Sequence, residues 1–90
     1  MSEWLVGLSR NAKHFIDKNR IAEEDISDKA IAGARKLMGE DLNVNIKKMS
    51  GKWEGHHRIR EGKLRIIVRF NFDTGTAEVH VVDWRGSAYR

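Results

Sequence analysis

The chain has no cysteine and no proline among its 90 residues, and a single tyrosine. Without cysteine there is no disulfide framework and no thiolate metal site, a composition that fits a reducing compartment. The lack of proline, of any linker and of any internal repeat argues for one uninterrupted domain over residues 1–90. No apolar run approaches the roughly 20 residues that a bilayer span requires, and no signal-peptide pattern opens the sequence. The expected location is the cytoplasm, with no membrane partner. His56, His57 and His80 lack the cysteine or acidic partners at ligand spacing that zinc needs. Neither a metal nor a small-molecule cofactor is expected.

Charge is what the chain has in quantity. With 33% charged and 40% hydrophobic residues, the composition is that of a globular domain rather than a disordered one. A domain this small buries only roughly two thirds of its unfolded surface, so its stability margin is thin. The segment Lys47 to Arg69 holds eight Lys or Arg against two Glu, a local net of +6, while the whole chain carries +4. The basic charge is therefore concentrated, and concentrated positive charge is the footprint of a polyanion binder. A second small basic cluster, Trp84-Arg85-Gly86-Ser87-Ala88-Tyr89-Arg90, closes the sequence.

Hydrophobic periodicity divides the chain into two halves. Glu3 to Leu8 reads as a short opening strand, and Ser9 stands where a helix N-cap belongs. Ala12, Phe15 and Ile16 follow at helical spacing, and Asn19-Arg20 interrupts the pattern. A second helix is expected to start between Glu23 and Ser27. Ile26, Ala30, Ala34, Leu37 and Met38 form its apolar stripe, and Gly39 is its left-handed stop. Glu23, Glu24, Asp25 and Asp28 suit the positive end of its dipole. From His57 the period changes to two. A first strand runs through Glu61, Glu61-Gly62 turns, Lys63 to Phe72 is a second strand, and Thr76 to Asp83 a third. Leu64, Ile66, Val68, Phe70 and Phe72 are expected to face the helices, with Ala77, Val79 and Val81 alternating inward on the last strand. The predicted architecture is α+β: an N-terminal strand, a helical hairpin, then an antiparallel three-stranded sheet with the helices packed on one face.

The other sheet face is where function is expected. Side chains two apart on a strand point the same way, so Arg58 and Arg60 share a face of one strand, and Arg65 and Arg69 a face of the next. If the faces coincide, four guanidinium groups line one groove. A guanidinium donates two hydrogen bonds to a phosphate at once and keeps its proton near neutrality. The plain alternative is a solvated face in which the arginines pair with Glu54, Glu61 and Glu78. Trp4, Trp53 and Trp84 read first as core or rim anchors, although Trp53 and Trp84 flank basic residues and could stack on bases.

Strand, helical hairpin and three strands, carrying Met49-Ser50-Gly51-Lys52-Trp53-Glu54-Gly55-His56-His57-Arg58-Ile59-Arg60, then Lys63-Leu64-Arg65-Ile66-Ile67, then the closing Arg85 and Tyr89, resemble the RelE/ParE superfamily of toxin–antitoxin modules. The resemblance covers essentially the whole chain. It implies a toxin of a type II system, with the RelE branch favoured: a ribosome-dependent, metal-independent endoribonuclease that cuts messenger RNA and is held in check by a cognate antitoxin. The catalytic positions it implies are Arg58, Arg60, Arg65, Arg85 and Tyr89. Apart from the resemblance, His56, His57 and His80 offer an alternative acid–base pair because imidazole titrates in the right range, and His57 is the further catalytic candidate. Lys47, Lys48, Lys52, Arg69 and Arg90 are the expected RNA-binding residues. Two other readings remain: a ParE-like toxin that inhibits DNA gyrase without nuclease chemistry, and an RNA-binding module that cuts nothing.

Overall fold

A computed structural model describes residues 4–84 of the chain. Its elements are β1 (Leu5–Leu8), α1 (Arg10–Lys18), α2 (Glu23–Leu37), β2 (Asn45–Lys48), a 3-10 turn (Gly51–Trp53), β3 (His57–Glu61), β4 (Leu64–Asn71) and β5 (Thr76–Trp84). The expected α+β architecture is present, but the sheet has five strands rather than three, in the order β1-β5-β4-β3-β2. β1 joins it parallel to β5; the other pairs are antiparallel. β2 has no signature in the sequence because Asn45-Ile46-Lys47-Lys48 is an edge strand with one apolar residue, too short to show a period. β1 is recognisable locally, yet only tertiary packing places it beside a strand 71 positions later, where Leu5 aligns with Thr76.

Helix α1 begins as its sequence predicts. The Ser9 hydroxyl accepts from Ala12 N at 3.0 Å and donates to the His80 carbonyl at 2.7 Å, so one side chain caps the helix and ties it to β5. The helix buries Ala12 and Ile16 against the sheet. It ends where Arg20 turns left-handed (φ 57°) and the Asn19 amide donates to the Phe15 carbonyl. Helix α2 buries Ile26, Ala30, Gly33 and Ala34, with Glu23, Glu24 and Asp25 in its first turn. Leu37 and Met38, expected in its apolar stripe, instead run past the sheet and are exposed. At Gly33 the helix lies close against the sheet: a Cβ there would stand 2.8 Å from Ile59 Cδ1. Gly39 (φ 104°) closes the helix as expected.

The sheet's helix-facing side carries Ile59, Ile66, Val68, Ala77, Val79 and Val82, which form the core with the two helices. Val82 stands where alternation predicts Val81. The register moves from Val68↔Val79 to Ile67↔Val81, so β5 carries one extra residue, a β-bulge at His80. Beyond the bulge the alternation of β5 is reversed, and Val82 turns in while Val81 turns out. Trp4 packs edge-on against Phe70 and Phe72, and Trp84 against Phe15, so both are rim anchors. No described helix is long and apolar enough to cross a membrane.

Candidate nucleic-acid interface

Residues directly opposite on paired strands share a face. The register sets Arg60 against Arg65, Arg58 against Ile67, and Arg69 against Glu78. Arg58, Arg60, Arg65 and Arg69 therefore occupy one face, the one turned away from the helices. β2 extends the row: Lys47 aligns with Arg58 and Asn45 with Arg60. The bulge adds two consecutive residues of β5 to this face, His80 in sequence with Glu78 and Val81 across from Ile67. Ile67 lies beneath these side chains and is fully buried, although it is on the side away from the helices.

The electrostatics of the face show which of its charges are paired. Among the described residues none of the four arginines forms an ion pair. Glu61 pairs with Lys29 at 3.3 Å, and Glu78 lies 3.6 Å from His80. Asp83, opposite Arg65, accepts from Trp84 N at 2.7 Å. Arg58 Nη2 donates to Asn45 Oδ1 at 2.9 Å, and Arg65 Nη1 to the Gly62 carbonyl at 2.8 Å. Neutral oxygens thus orient two of the guanidinium groups while leaving their charge uncancelled. Asn45 has this role because β2 pairs with β3, a pairing without a local mark in the sequence.

The remaining candidates divide. His57 is not on the arginine face: it aligns with Val68, and its ring lies 5.7 Å from that of Phe70 on the helix side. Burial pushes its imidazole below the usual range, with Lys48 and then His56 repelling the protonated form. The strand alternation that puts Arg58 and Arg60 outward is what turns His57 inward. Lys48 aligns with His57 and shares its side. His56 and His80 do meet, with ring centroids 4.8 Å apart, and Trp53 packs edge-on against His56 at 5.3 Å. The Lys52 ammonium stands 6.0 Å over the Trp53 ring. Arg85, Tyr89 and Arg90 lie outside the described residues.

No family model and no curated protein matches this sequence. Solved structures do. A copper-bound mutant toxin from Helicobacter pylori superposes with a TM-score of 0.71 over 97% of this chain and 100% of its own, at 11% identity. The RelBE2 toxin–antitoxin complex from Mycobacterium tuberculosis gives 0.58 at 23% identity, covering 91% of this chain and 98% of the matched one. The RelB–RelE antitoxin–toxin complex from Methanococcus jannaschii gives 0.59 at 22% identity, covering 92% and 94%. Near-complete coverage in both directions shows that strand, helical hairpin and sheet correspond as a whole. The chain has the RelE-type toxin fold.

Proposed function

We propose that the protein is the toxin of a type II toxin–antitoxin system and acts as an endoribonuclease on messenger RNA at the ribosome. The observation that carries this reading is the row of four guanidinium groups on one sheet face, none of which forms an ion pair among the described residues although Glu78 and Asp83 stand across from Arg69 and Arg65. Protein surfaces usually intersperse charges of both signs. An arginine face left unpaired is an anion site in waiting.

The reaction is transphosphorylation. The ribose 2′-OH loses its proton, its oxygen attacks the adjacent phosphorus, and the bond to the 5′-oxygen breaks as that oxygen takes up a proton. A 2′,3′-cyclic phosphate and a 5′-hydroxyl end result. Arg58, Arg60 and Arg65 stabilise the charge that builds on the phosphorane oxygens, the step at which preorganised donors contribute most. Asn45 and the Gly62 carbonyl support this role by holding two of the guanidiniums before substrate arrives. Arg69 and Lys47 hold the RNA backbone. Tyr89 is the proposed base; a phenol titrates near pH ~10, so it needs adjacent cations such as Arg85 to work at neutrality. A cognate antitoxin with an acidic or amphipathic segment would cover the same face.

The test is translation in vitro with purified protein, with primer extension on the messenger. Arg58→Gln and Arg65→Gln are each expected to lower cleavage by roughly 10²–10³-fold, the cost of one oxyanion-stabilising donor. An intact messenger with wild-type protein and actively translating ribosomes would sink the nuclease reading.

A further inference from the structure

A hollow at the sheet's β2 edge, next to the arginine face, has a chemistry that phosphate stabilisation alone does not use. It encloses about 490 Å³ and is walled chiefly by Lys47, Lys48, Ser50, Lys52, Trp53 and Arg58. Small-molecule sites typically span about 300–1,000 Å³. Four of its walls are cationic and none is acidic. Four other hollows on the described surface each include a carboxylate. The wall also holds two buried donors without an acceptor, Trp53 Nε1 and Arg58 Nε.

Local structure explains how an indole comes to stand there. Gly51 (φ 67°) and Gly55 (φ 90°) adopt left-handed backbone on either side of Trp53, which lets the chain make a tight excursion between β2 and β3. Three backbone hydrogen bonds at 3.0 Å tie it down: Met49 N to the His56 carbonyl, Glu54 N to the Gly51 carbonyl, and His56 N to the Trp53 carbonyl. The His56 ring buttresses the indole edge-on at 5.3 Å. Lys52, over the indole, and Lys47, beside Arg58, set positive charge at the rim of a flat aromatic surface.

We infer that this hollow is a nucleotide subsite, with a base stacked against Trp53 and its phosphate held by Lys47, Lys52 and Arg58. The inference rests on the RNA-cleaving reading above and adds to it the place of a neighbouring nucleotide. Arg58 belongs to both the hollow and the arginine face, so the nucleotide bound here adjoins the phosphate to be cut. Stacking accepts any base, so the subsite contributes affinity and register rather than sequence choice.

Binding of a short, dye-labelled 2′-O-methyl oligoribonucleotide, followed by fluorescence anisotropy across a salt series without ribosomes, tests the subsite apart from cleavage. The methyl group removes the attacking hydroxyl, so the probe cannot be cut. Trp53→Ala is expected to weaken binding roughly 10-fold or more, and Trp53→Phe by less than about 3-fold, because a phenyl ring still stacks. Lys47→Ala, at an exposed position, is expected to reduce the slope of log K against log salt by about 0.7. The subsite is overturned if wild-type protein does not bind the probe. It is equally overturned if Trp53→Ala binds as wild type, or if folded Trp53→Phe binds as weakly as Trp53→Ala. Should Trp53→Ala fail to fold, the Phe and Lys47 variants decide, and an unchanged salt slope overturns the proposal. Binding that follows the expected pattern without any cleavage during translation keeps the subsite and removes the nuclease reading.

Discussion

Replacing Ser9 by alanine removes two hydrogen bonds at once and shows how the N-terminal half holds the arginine face in shape. The hydroxyl accepts from Ala12 N at 3.0 Å and donates to the His80 carbonyl at 2.7 Å. Loss of an N-cap costs about 1 kcal/mol. Loss of the second bond costs about 1 kcal/mol more, because the carbonyl is partly buried at a bulge where the ladder is already interrupted. Ser9→Ala is therefore expected to destabilise the domain by about 2 kcal/mol. At roughly 4–8 °C per kcal/mol for a domain of this size, the melting temperature falls by roughly 8–16 °C. Ser9→Asp separates the two contributions. Its carboxylate still accepts from Ala12 N but cannot donate to His80, so about half of the loss should return. Urea denaturation followed by circular dichroism measures both, with backbone amide shifts of His80 and Val81 reporting on the bulge. A loss below about 0.5 kcal/mol for Ser9→Ala would refute the reasoning, and Ser9→Asp as unstable as Ser9→Ala would refute the capping share of it.

Two further outcomes follow from the packing. Gly33→Ala sets a gain in helix propensity of about 1 kcal/mol against overpacking of about 1–3 kcal/mol. The added methyl meets Ile59 Cδ1 at 2.8 Å and Ile46 Cδ1 at 3.1 Å, and Ile59 is itself only 2% exposed. Net destabilisation of about 1 kcal/mol is expected from urea midpoints; a stabilised variant would mean that these methyls yield freely. His57, whose imidazole is held below its ordinary range by burial first, favours the neutral form in the folded state. Its contribution is fully present above the unfolded value of about 6.5 and is lost as pH falls through the folded value. His57→Phe should accordingly flatten the fall in stability as the pH drops below the unfolded value of about 6.5, and an unchanged pH profile would contradict the burial assigned to it.

Alternation by two was enough to read Arg58 with Arg60 and Arg65 with Arg69 as shared faces, because side-chain direction on a single strand is a local property. The Ser9 cap and the Gly39 stop were legible for the same reason, since each acts within one helical turn. The same alternation turns His57, one residue from Arg58, to the other face, and the titration range that makes an imidazole an acid–base candidate carries no information about that direction. The bulge at His80 has no local mark. It inverts the last strand, bringing Val82 in and Val81 out, through the pairing of β5 with β4.

The sequence by itself determined the order of the elements other than β2, the basic character of the last half and the sharing of faces within each strand. All of these follow from short-range chemistry along the chain. Only the tertiary structure decided that the faces of β3 and β4 coincide, that Asn45 holds Arg58, and that a paired edge strand and a glycine-bounded turn set Trp53 beside four cations. Register between strands and the pairing of charges depend on partners distant in sequence, and those are chosen when the core closes.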